Sequence, residues 1–411
     1  MEQVSQDKSL QARRRRKSMR ASTTDDNEAY SDSDARIDPF IYVAILRICI
    51  GYYLQLLRDV KGEKTMLKKL NRYAGSLQQE IYARPICYRE GRAKGMDAVE
   101  VKCGDLFFHV MADKCLDISD LSYKGQNMTF LSKPGLIGRN HYDTNGGEAQ
   151  RSIMGGLFFT CGYENICAPC RIDGKDYPMH GRMRTTPAEH VLADVVECGD
   201  TYKAVIRGEM REGELFGENL VLRRTIECVL GENSILIRDE VENQSFRDEP
   251  LMLLYHCNAG YPFLDEHTQL YLPVSHTRGR EEFSQQHLDR WNLMDPPKDN
   301  EPEYVFIHEM KKIEDQLTPA LMVNHETDTA LLLEYDAANL PYFMEWKSTA
   351  SGDYVIGLEP SNSMVYGRTY HEEHRDLHHI GPFEKETFTL KFTAMSGTAQ
   401  INETIDRIQK M

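Results

Sequence analysis

The sequence predicts an all-β fold, a large sandwich of antiparallel sheets, for most of the 411-residue chain. From Ala98 onward, apolar residues recur with the two-residue period of half-buried strands, and turns rich in Gly, Pro and Asp separate the apolar segments. After residue 80 the helix candidates are short, for example 281–292, so we expect no long helix there. Many short strands with tight turns and no alternating helices are typical of a sandwich.

Individual strands follow from the same alternation, taken in chain order. Val99 and Val101 alternate with charged residues, and the stretch 106–111 is continuously apolar, which predicts two strands. Gly231-Glu232-Asn233 supplies hairpin turn chemistry between two longer alternating segments. The other predicted strands are 116–121, 201–210, 220–230, 234–243, 329–335 and 387–392.

An N-terminal extension, disordered or weakly helical, is predicted over residues 1–65, followed by a single domain over 66–411. Residues 1–36 are polar and show no apolar periodicity, which is typical of unstructured tails. The basic run at 13–17 leaves open a nuclear or anionic-surface tag.

The more apolar stretch 37–57 is interpreted as an extra helix, or as sequence upstream of a start at Met66. Arg47 interrupts this stretch, and its uninterrupted apolar run is shorter than the ~20 residues of a membrane-spanning helix. A charge at the centre of a bilayer costs about 3 kcal/mol, so we expect no membrane span.

Net charge and cysteine content narrow the function. A formal charge of −15 argues against nucleic acid and against an acidic membrane surface, because both require a basic face. It favours a soluble protein with a neutral small-molecule partner. The ten cysteines are scattered, several inside apolar runs, so we expect a reducing cytoplasm and no disulfide framework.

Three short apolar segments each carry a titratable residue beside Gly or Pro, a placement that mounts polar groups rigidly at a cleft. These residues are His180 in 177–182, His256 in 253–264 and Glu359 in 354–360. We therefore expect the three side chains to converge on one pocket.

Residues 133–170 form a Gly-rich segment with many polar side chains, which we interpret as a binding loop on the β scaffold. Its polar members are Arg139, Asn140, His141, Asp143, Arg151 and Asn165.

Four motifs follow one another in a fixed order along the chain. They are Met154–Gly162 (MGGLFFTCG), His180-Gly181-Arg182, Tyr255-His256-Cys257-Asn258 and Gly357-Leu358-Glu359-Pro360. The set resembles the aldose 1-epimerase-like proteins of the galactose mutarotase superfamily, in particular an uncharacterised branch known only as a domain of unknown function. The resemblance covers about residue 80 to the C-terminus. It implies a β-supersandwich with a sugar site in a concave groove.

The resemblance also implies a mechanism without a metal or organic cofactor. Glu359 would take the proton of the anomeric hydroxyl and His256 would protonate the ring oxygen, the two lying on opposite sides of one sugar ring. His180 would polarise or bind the substrate. Histidine titrates near neutral pH, and a desolvated glutamate can reach the same range.

Substrate contacts are expected from polar and aromatic side chains near these motifs. The candidates are Asn165, Arg182, Asn258 and Trp346. The pattern departs from that of the characterised mutarotases, in which two glycines follow the histidine and an Asn-Arg signature stands where this chain has Thr160-Cys161-Gly162. Arg182 would suit an anionic sugar, such as a uronate, sulfonate or phosphate sugar, because guanidinium binds such groups bidentately.

Several alternatives stay open at this point. The same groove could host another isomerisation or an elimination of a modified sugar, or could bind carbohydrate without chemistry. Cys167 and Cys170 form a CxxC that is compatible with a redox or zinc role, with Cys161 or His180 as further ligands, although we favour neither. The histidines at 371, 374, 378 and 379 are interpreted as an exposed loop at the groove rim rather than a metal site.

Overall fold

The computed structural model describes residues 70–138, 146–311, 313 and 316–411. The predicted N-terminal extension and four polar residues of the Gly-rich segment, Arg139, Asn140, His141 and Asp143, lie outside the described residues.

Most of the described chain is strand, as the alternation predicts. The strands are β1 (Ile81–Cys87), β2 (Asp97–Cys103), β3 (Leu106–Met111), β4 (Asp117–Tyr123), β5 (Gln126–Asn127), β6 (Phe158–Tyr163), β7 (Cys170–Ile172), β8 (Lys175–Tyr177), β9 (Glu189–Cys198), β10 (Thr201–Gly213), β11 (Asn219–Val229), β12 (Ser234–Asn243), β13 (Glu249–Pro250), β14 (Met252–Ala259), β15 (Thr268–Tyr271), β16 (Val274–Gly279), β17 (Tyr304–Met310), β18 (Thr318–Asn324), β19 (Thr329–Tyr335), β20 (Tyr342–Ala350), β21 (Asp353–Ser361), β22 (His379–Ile380) and β23 (Lys385–Ser396).

Two large sheets account for most of these strands. The first has eleven strands in the order β1-β2-β3-β4-β6-β14-β21-β20-β17-β16, with β5 paired to β4. The second has eight strands in the order β15-β18-β19-β23-β12-β11-β10-β9. Pairing between the strands of both sheets is antiparallel, so the predicted all-β class is confirmed.

The main hydrophobic core lies between the two sheets, and strand alternation shows this along β14. Leu253, Tyr255 and Cys257 belong to this core, together with residues of β11, β12 and β23. Met252 and Leu254 instead join a second apolar cluster on the opposite face of the eleven-stranded sheet. Because successive side chains point to opposite faces, His256 and Asn258 also lie on that second face.

A buried ion network ties the two sheets together. Arg224 on β11 is fully buried, with Nη1 2.7 Å from Asp117 Oδ1 and Nη2 2.6 Å from Asp239 Oδ2. Tyr255 donates to Asp239 Oδ2 at 2.6 Å, and Arg224 Nη2 donates to Thr160 Oγ1 at 2.9 Å. Every donor in this network meets a carboxylate, hydroxyl or carbonyl acceptor, which is what allows the charges to be buried.

The helices correct two expectations. They are α1 (Glu282–Gln286), α2 (Gly367–His374) and α3 (Thr398–Gln409). The expectation of no long helix after residue 80 is wrong, because Ile401, Ile405 and Ile408 place an apolar stripe on α3 that is buried in the fold. The histidine-rich stretch is not simply an exposed loop, because it begins inside α2 and His371 is buried.

No helix within the described ranges is both long enough and apolar enough to cross a membrane.

Candidate active site

The candidate site is built on the second face of the eleven-stranded sheet, where β14 lies between β6 and β21. The β14–β21 register pairs Cys257 with Leu358. The adjacent position in this antiparallel register sets His256 opposite Glu359 on the same face. Both residues therefore lie inside strands, whereas the sequence indicated a strand end for His256.

His256 and Glu359 form a buried hydrogen-bonded pair. His256 Nε2 lies 3.0 Å from Glu359 Oε1, and the side chains are 9% and 5% exposed. The two groups are thus in direct contact instead of lying on opposite sides of a sugar ring. We call this pair the dyad.

Asn258 determines how many protons the dyad holds. Its amide nitrogen donates to the backbone carbonyls of His256 at 2.8 Å and Gly156 at 3.2 Å, so its Oδ1 is the acceptor that lies 2.7 Å from His256 Nδ1. His256 Nδ1 must then carry a proton. A hydrogen bond between Nε2 and Oε1 requires one further proton, which the imidazole and the carboxylate share.

His180 reaches the same pocket from the loop after β8. Its backbone N–H donates to the Cys167 carbonyl at 3.0 Å, and the Cys167 N–H donates to His180 Nδ1 at 3.3 Å. Nδ1 therefore carries a lone pair and Nε2 carries the proton. Gly181, at a φ of +69°, has no room for a Cβ, because the Gly162 and Asn165 carbonyl oxygens lie against it.

Desolvation lowers the pKa of His180 well below its usual value, and the nearby His256 and Arg184 lower it further. The imidazole is consequently neutral and presents an N–H donor. Its ring centroid lies 5.8 Å from that of His256, close enough for both rings to contact one small ligand.

A pocket of about 280 Å³ opens beside these three residues. Its walls are mostly apolar and aromatic: Phe159 stacks on the His256 ring at 4.6 Å, and Trp346 approaches that ring edge-on at 5.3 Å. Asn258 also lines the pocket. The size and composition suit a small organic ligand with an apolar face.

Two charged residues of the pocket wall, Arg280 and Glu303, were not identified from the sequence. Arg280 follows β16 and pairs with Glu281 and with Glu303, whose Oε1 is 3.7 Å from Arg280 Nη2. Glu303 also accepts from Trp346 Nε1 at 2.9 Å, which fixes the indole. No local motif surrounds these residues, so only their position in the sheet reveals them.

Asn165 and Arg182, both predicted to bind substrate, are not among the residues that line the pocket. Asn165 is fully buried; its amide donates to the Ala168 and Pro178 carbonyls at 2.9 Å each, and its Oδ1 accepts from the Arg368 N–H. Its hydrogen bonds thereby hold the loop that carries His180. Arg182 instead forms an ion pair with Glu164, which gives no support to the predicted anionic sugar.

The cysteines and histidines considered for other roles are arranged differently from a metal centre. Cys167 lines the pocket, but Cys167 and Cys170 are free thiols, and burial raises the pKa of the Cys167 thiol well above its usual range. His371 Nδ1 lies 2.8 Å from Asp376 Oδ1. In the part of the chain that the structure describes, neither set contributes to a group of three closely spaced ligands.

This geometry can give and accept a proton at two adjacent points of one ligand. The dyad offers a donor and an acceptor 3.0 Å apart, and His180 offers a neutral donor beside them. Such an arrangement fits acid–base chemistry at neighbouring oxygens of a small molecule.

Comparison with known proteins relates the fold and this site to a family. The profile of a family described as a domain of unknown function (DUF4432) matches residues 93–394. A crystal structure of a Klebsiella pneumoniae protein, provisionally assigned as an aldose 1-epimerase, is 24% identical with a TM-score of 0.76, covering 80% of this chain and 87% of that chain. None of the curated proteins matches significantly.

A galactose mutarotase-like protein from Clostridium acetobutylicum is also similar in structure, at 12% identity and a TM-score of 0.56. The match covers 78% of this chain and 100% of that chain. At these identities the likeness concerns the fold, and it confirms the predicted galactose mutarotase-like β-supersandwich.

Proposed function

The chain belongs to the DUF4432 family, and we propose that it is an aldose 1-epimerase-like enzyme that interconverts the anomers of a sugar by acid–base ring opening. The observation that carries the proposal is the His256–Glu359 dyad, with Nε2 and Oε1 3.0 Å apart at the wall of the pocket.

The spacing of the dyad suits the two oxygens of a cyclic hemiacetal. The anomeric hydroxyl and the ring oxygen are bonded to the same carbon, so they are close neighbours. Two hydrogen-bonding groups in contact with each other can therefore address both oxygens at once, whereas groups on opposite sides of the ring could not.

In the proposed reaction the Glu359 carboxylate takes the proton of the anomeric hydroxyl. The C1–O1 bond becomes a carbonyl, the bond from C1 to the ring oxygen breaks, and that oxygen takes the proton from His256 Nε2. Rotation about C1–C2 presents the other carbonyl face, and ring closure reverses both transfers. The dyad holds one shared proton before and after each step, so no external acid or base is consumed.

His180 and Asn258 support this exchange in different ways. The neutral His180 donates from Nε2 to a sugar oxygen without competing for the transferred proton. Asn258 keeps the His256 Nδ1 protonated, so that Nε2 is the nitrogen that gives and receives the proton.

The shape and lining of the pocket are consistent with a monosaccharide. Its volume of about 280 Å³ would enclose one sugar ring, and Trp346 and Phe159 offer aromatic surface to sugar C–H groups. Arg280 and Glu303 at the wall supply a donor and an acceptor for hydroxyl groups.

The test is anomer exchange measured by NMR on a panel of neutral, amino and acidic monosaccharides, with the variant Glu359→Gln. Loss of a catalytic base typically costs about 10²- to 10⁴-fold in rate, so we expect a loss in that range with sugar binding retained. Glu403→Gln, an exposed glutamate on α3, is the matched control and should exchange anomers like the wild type.

Each other outcome identifies an alternative. Binding of a sugar that the wild type does not exchange would indicate a carbohydrate-binding protein without catalysis. Appearance of a ketose or of an unsaturated product in the same spectra would indicate a different isomerase or a lyase. Equal exchange rates for the wild type and Glu359→Gln would refute the dyad mechanism.

A further inference from the structure

A second group of ionisable residues lies behind the loop that carries His180, outside the pocket of the dyad. One ligand oxygen from each of Glu164, Glu212 and Glu218 can be chosen so that all three lie within 4.8 Å of one another. The three side chains come from the segment after β6, from β10 and from the start of β11, and all three are nearly buried.

Two internal cations serve two of these carboxylates. Lys175 Nζ lies 2.7 Å from Glu164 Oε1 and 3.5 Å from Glu218 Oε2, and Arg182 forms an ion pair with Glu164. No ion pair in the described part of the chain involves Glu212. Three carboxylates therefore face two cations, and the unmatched charge is on Glu212.

Glu212 is the unusual member because it is 4% exposed and neither carboxylate oxygen has a hydrogen-bond partner in the described structure. Burying an unpaired carboxylate is costly, so such groups in proteins normally neutralise or bind a counter-ion. Burial, and then the neighbouring Glu218, raises the pKa of Glu212 to about 8. A proton or a cation can thus occupy this position.

A cavity gives a route to the cluster. It has a volume of about 170 Å³, and Glu164, Glu218 and Lys175 line it. Lys175 could leave the cluster without losing its charge partner, since its Nζ also lies 2.9 Å from Glu214 Oε2, and Glu214 is 55% exposed.

We propose that Glu164, Glu212 and Glu218 form a binding site for a divalent cation of the size of Ca²⁺. Carboxylate oxygens are the ligands that hard cations prefer, and oxygens on opposite sides of Ca²⁺ are separated by about 5 Å, against about 4 Å for Mg²⁺. The observed limit of 4.8 Å matches the larger ion. Binding moves Lys175 from Glu164 and Glu218 to Glu214.

The site would act on the loop of the dyad pocket through the chain itself. Glu164 precedes Asn165, whose side chain holds the loop at Ala168 and Pro178, and Arg182 follows His180 by two residues. A bound cation would therefore stiffen the support of His180. The proposal does not depend on the sugar reaction, because it concerns the charge balance of the cluster alone.

The experiment is a thermal unfolding titration of the full chain, stripped with a chelator, with CaCl₂ and, in parallel, MgCl₂ and NaCl at matched ionic strength. A ligand that binds only the folded state raises Tm progressively with its concentration. We expect Ca²⁺ to raise Tm at lower concentrations than Mg²⁺, and NaCl to act only through ionic strength. Calorimetric titration then gives the affinity.

Variants separate the cation site from general effects. Glu212→Gln keeps the shape of the side chain and should weaken Ca²⁺ at least tenfold; Glu218→Gln is the second variant should the first fail to fold. Glu403→Gln is the control and should bind Ca²⁺ like the wild type. No shift with any divalent ion, or a Ca²⁺ shift that persists in both cluster variants, would overturn the proposal and leave a proton as the occupant of Glu212.

Discussion

Asn258→Ala tests whether a single amide controls the proton position in the dyad. The side chain is 2% exposed and makes three hydrogen bonds, of 2.7, 2.8 and 3.2 Å, to His256 Nδ1 and to the carbonyls of His256 and Gly156. The substitution removes all three and leaves the Nδ1–H of His256 without an acceptor.

The size of the effect follows from these contacts. A buried hydrogen bond contributes about 1 kcal/mol net, so loss of three should lower the free energy of unfolding by about 3 kcal/mol. His256 Nδ1 also loses about 1–2 kcal/mol of preference for the proton, which lets the other tautomer populate. Since about 1.4 kcal/mol corresponds to tenfold in rate, anomer exchange should slow by roughly 5- to 30-fold.

Two measurements check this prediction independently. Long-range ¹H–¹⁵N correlation of the imidazole nitrogens should show a protonated Nδ1 for His256 in the wild type and a mixture of tautomers in Asn258→Ala. The exchange rate reports the consequence for the proposed reaction. The spectrum is informative even without a substrate.

Asn324→Ala is the matched control. Asn324 is also fully buried, and its amide donates to the Phe263 carbonyl at 2.9 Å and to Asp265 Oδ1 at 2.8 Å, but Asn324 is absent from the pocket lining. This variant should lose comparable stability while leaving the His256 spectrum and the rate unchanged. An unprotonated Nδ1 in the wild type, or a spectrum and rate that Asn258→Ala does not alter, would refute the reasoning.

Two further predictions concern stability. Arg224→Met leaves Asp117 and Asp239 buried without their partner and should lower the free energy of unfolding by about 3–5 kcal/mol in urea denaturation, whereas Arg151→Met at an exposed pair should cost less than about 1 kcal/mol; equal losses would contradict the assigned role of the network. The pKa of His180 is lowered in the fold, so the unfolded chain binds the extra proton below about pH 6.5, and stability should fall from pH 7 to pH 5 by up to about 1 kcal/mol per pH unit in a way that His180→Gln makes shallower. An identical pH dependence in that variant would show that His180 is not desolvated.

The strands show how much local pattern alone can predict. The stretches 106–111, 234–243 and 329–335 were predicted with the bounds that β3, β12 and β19 have in the structure. Alternation of apolar and polar residues depends only on the two-residue repeat of the strand, so it can be read without knowledge of neighbours. The helix α3 was missed because its apolar stripe is narrow, with three isoleucines among polar residues.

The site divides along a similar line. Short motifs indicated His180, His256 and Glu359, and the structure brings all three to one pocket together with Trp346 and Asn258. The same reasoning assigned Asn165 and Arg182 to substrate, whereas their side chains hold the loop and pair with Glu164. A polar residue near a motif gives no indication of which way its side chain points.

The sequence by itself therefore determined the β class, most strands and the candidate titratable residues, because each depends on chemistry within a few neighbouring positions. Tertiary structure alone decided that His256 and Glu359 share a proton, because their contact depends on the register of two strands about a hundred residues apart in the chain. It also decided that Arg280 lines the pocket and that Glu212 is buried without a partner. These properties arise from contacts between distant segments, which no local repeat encodes.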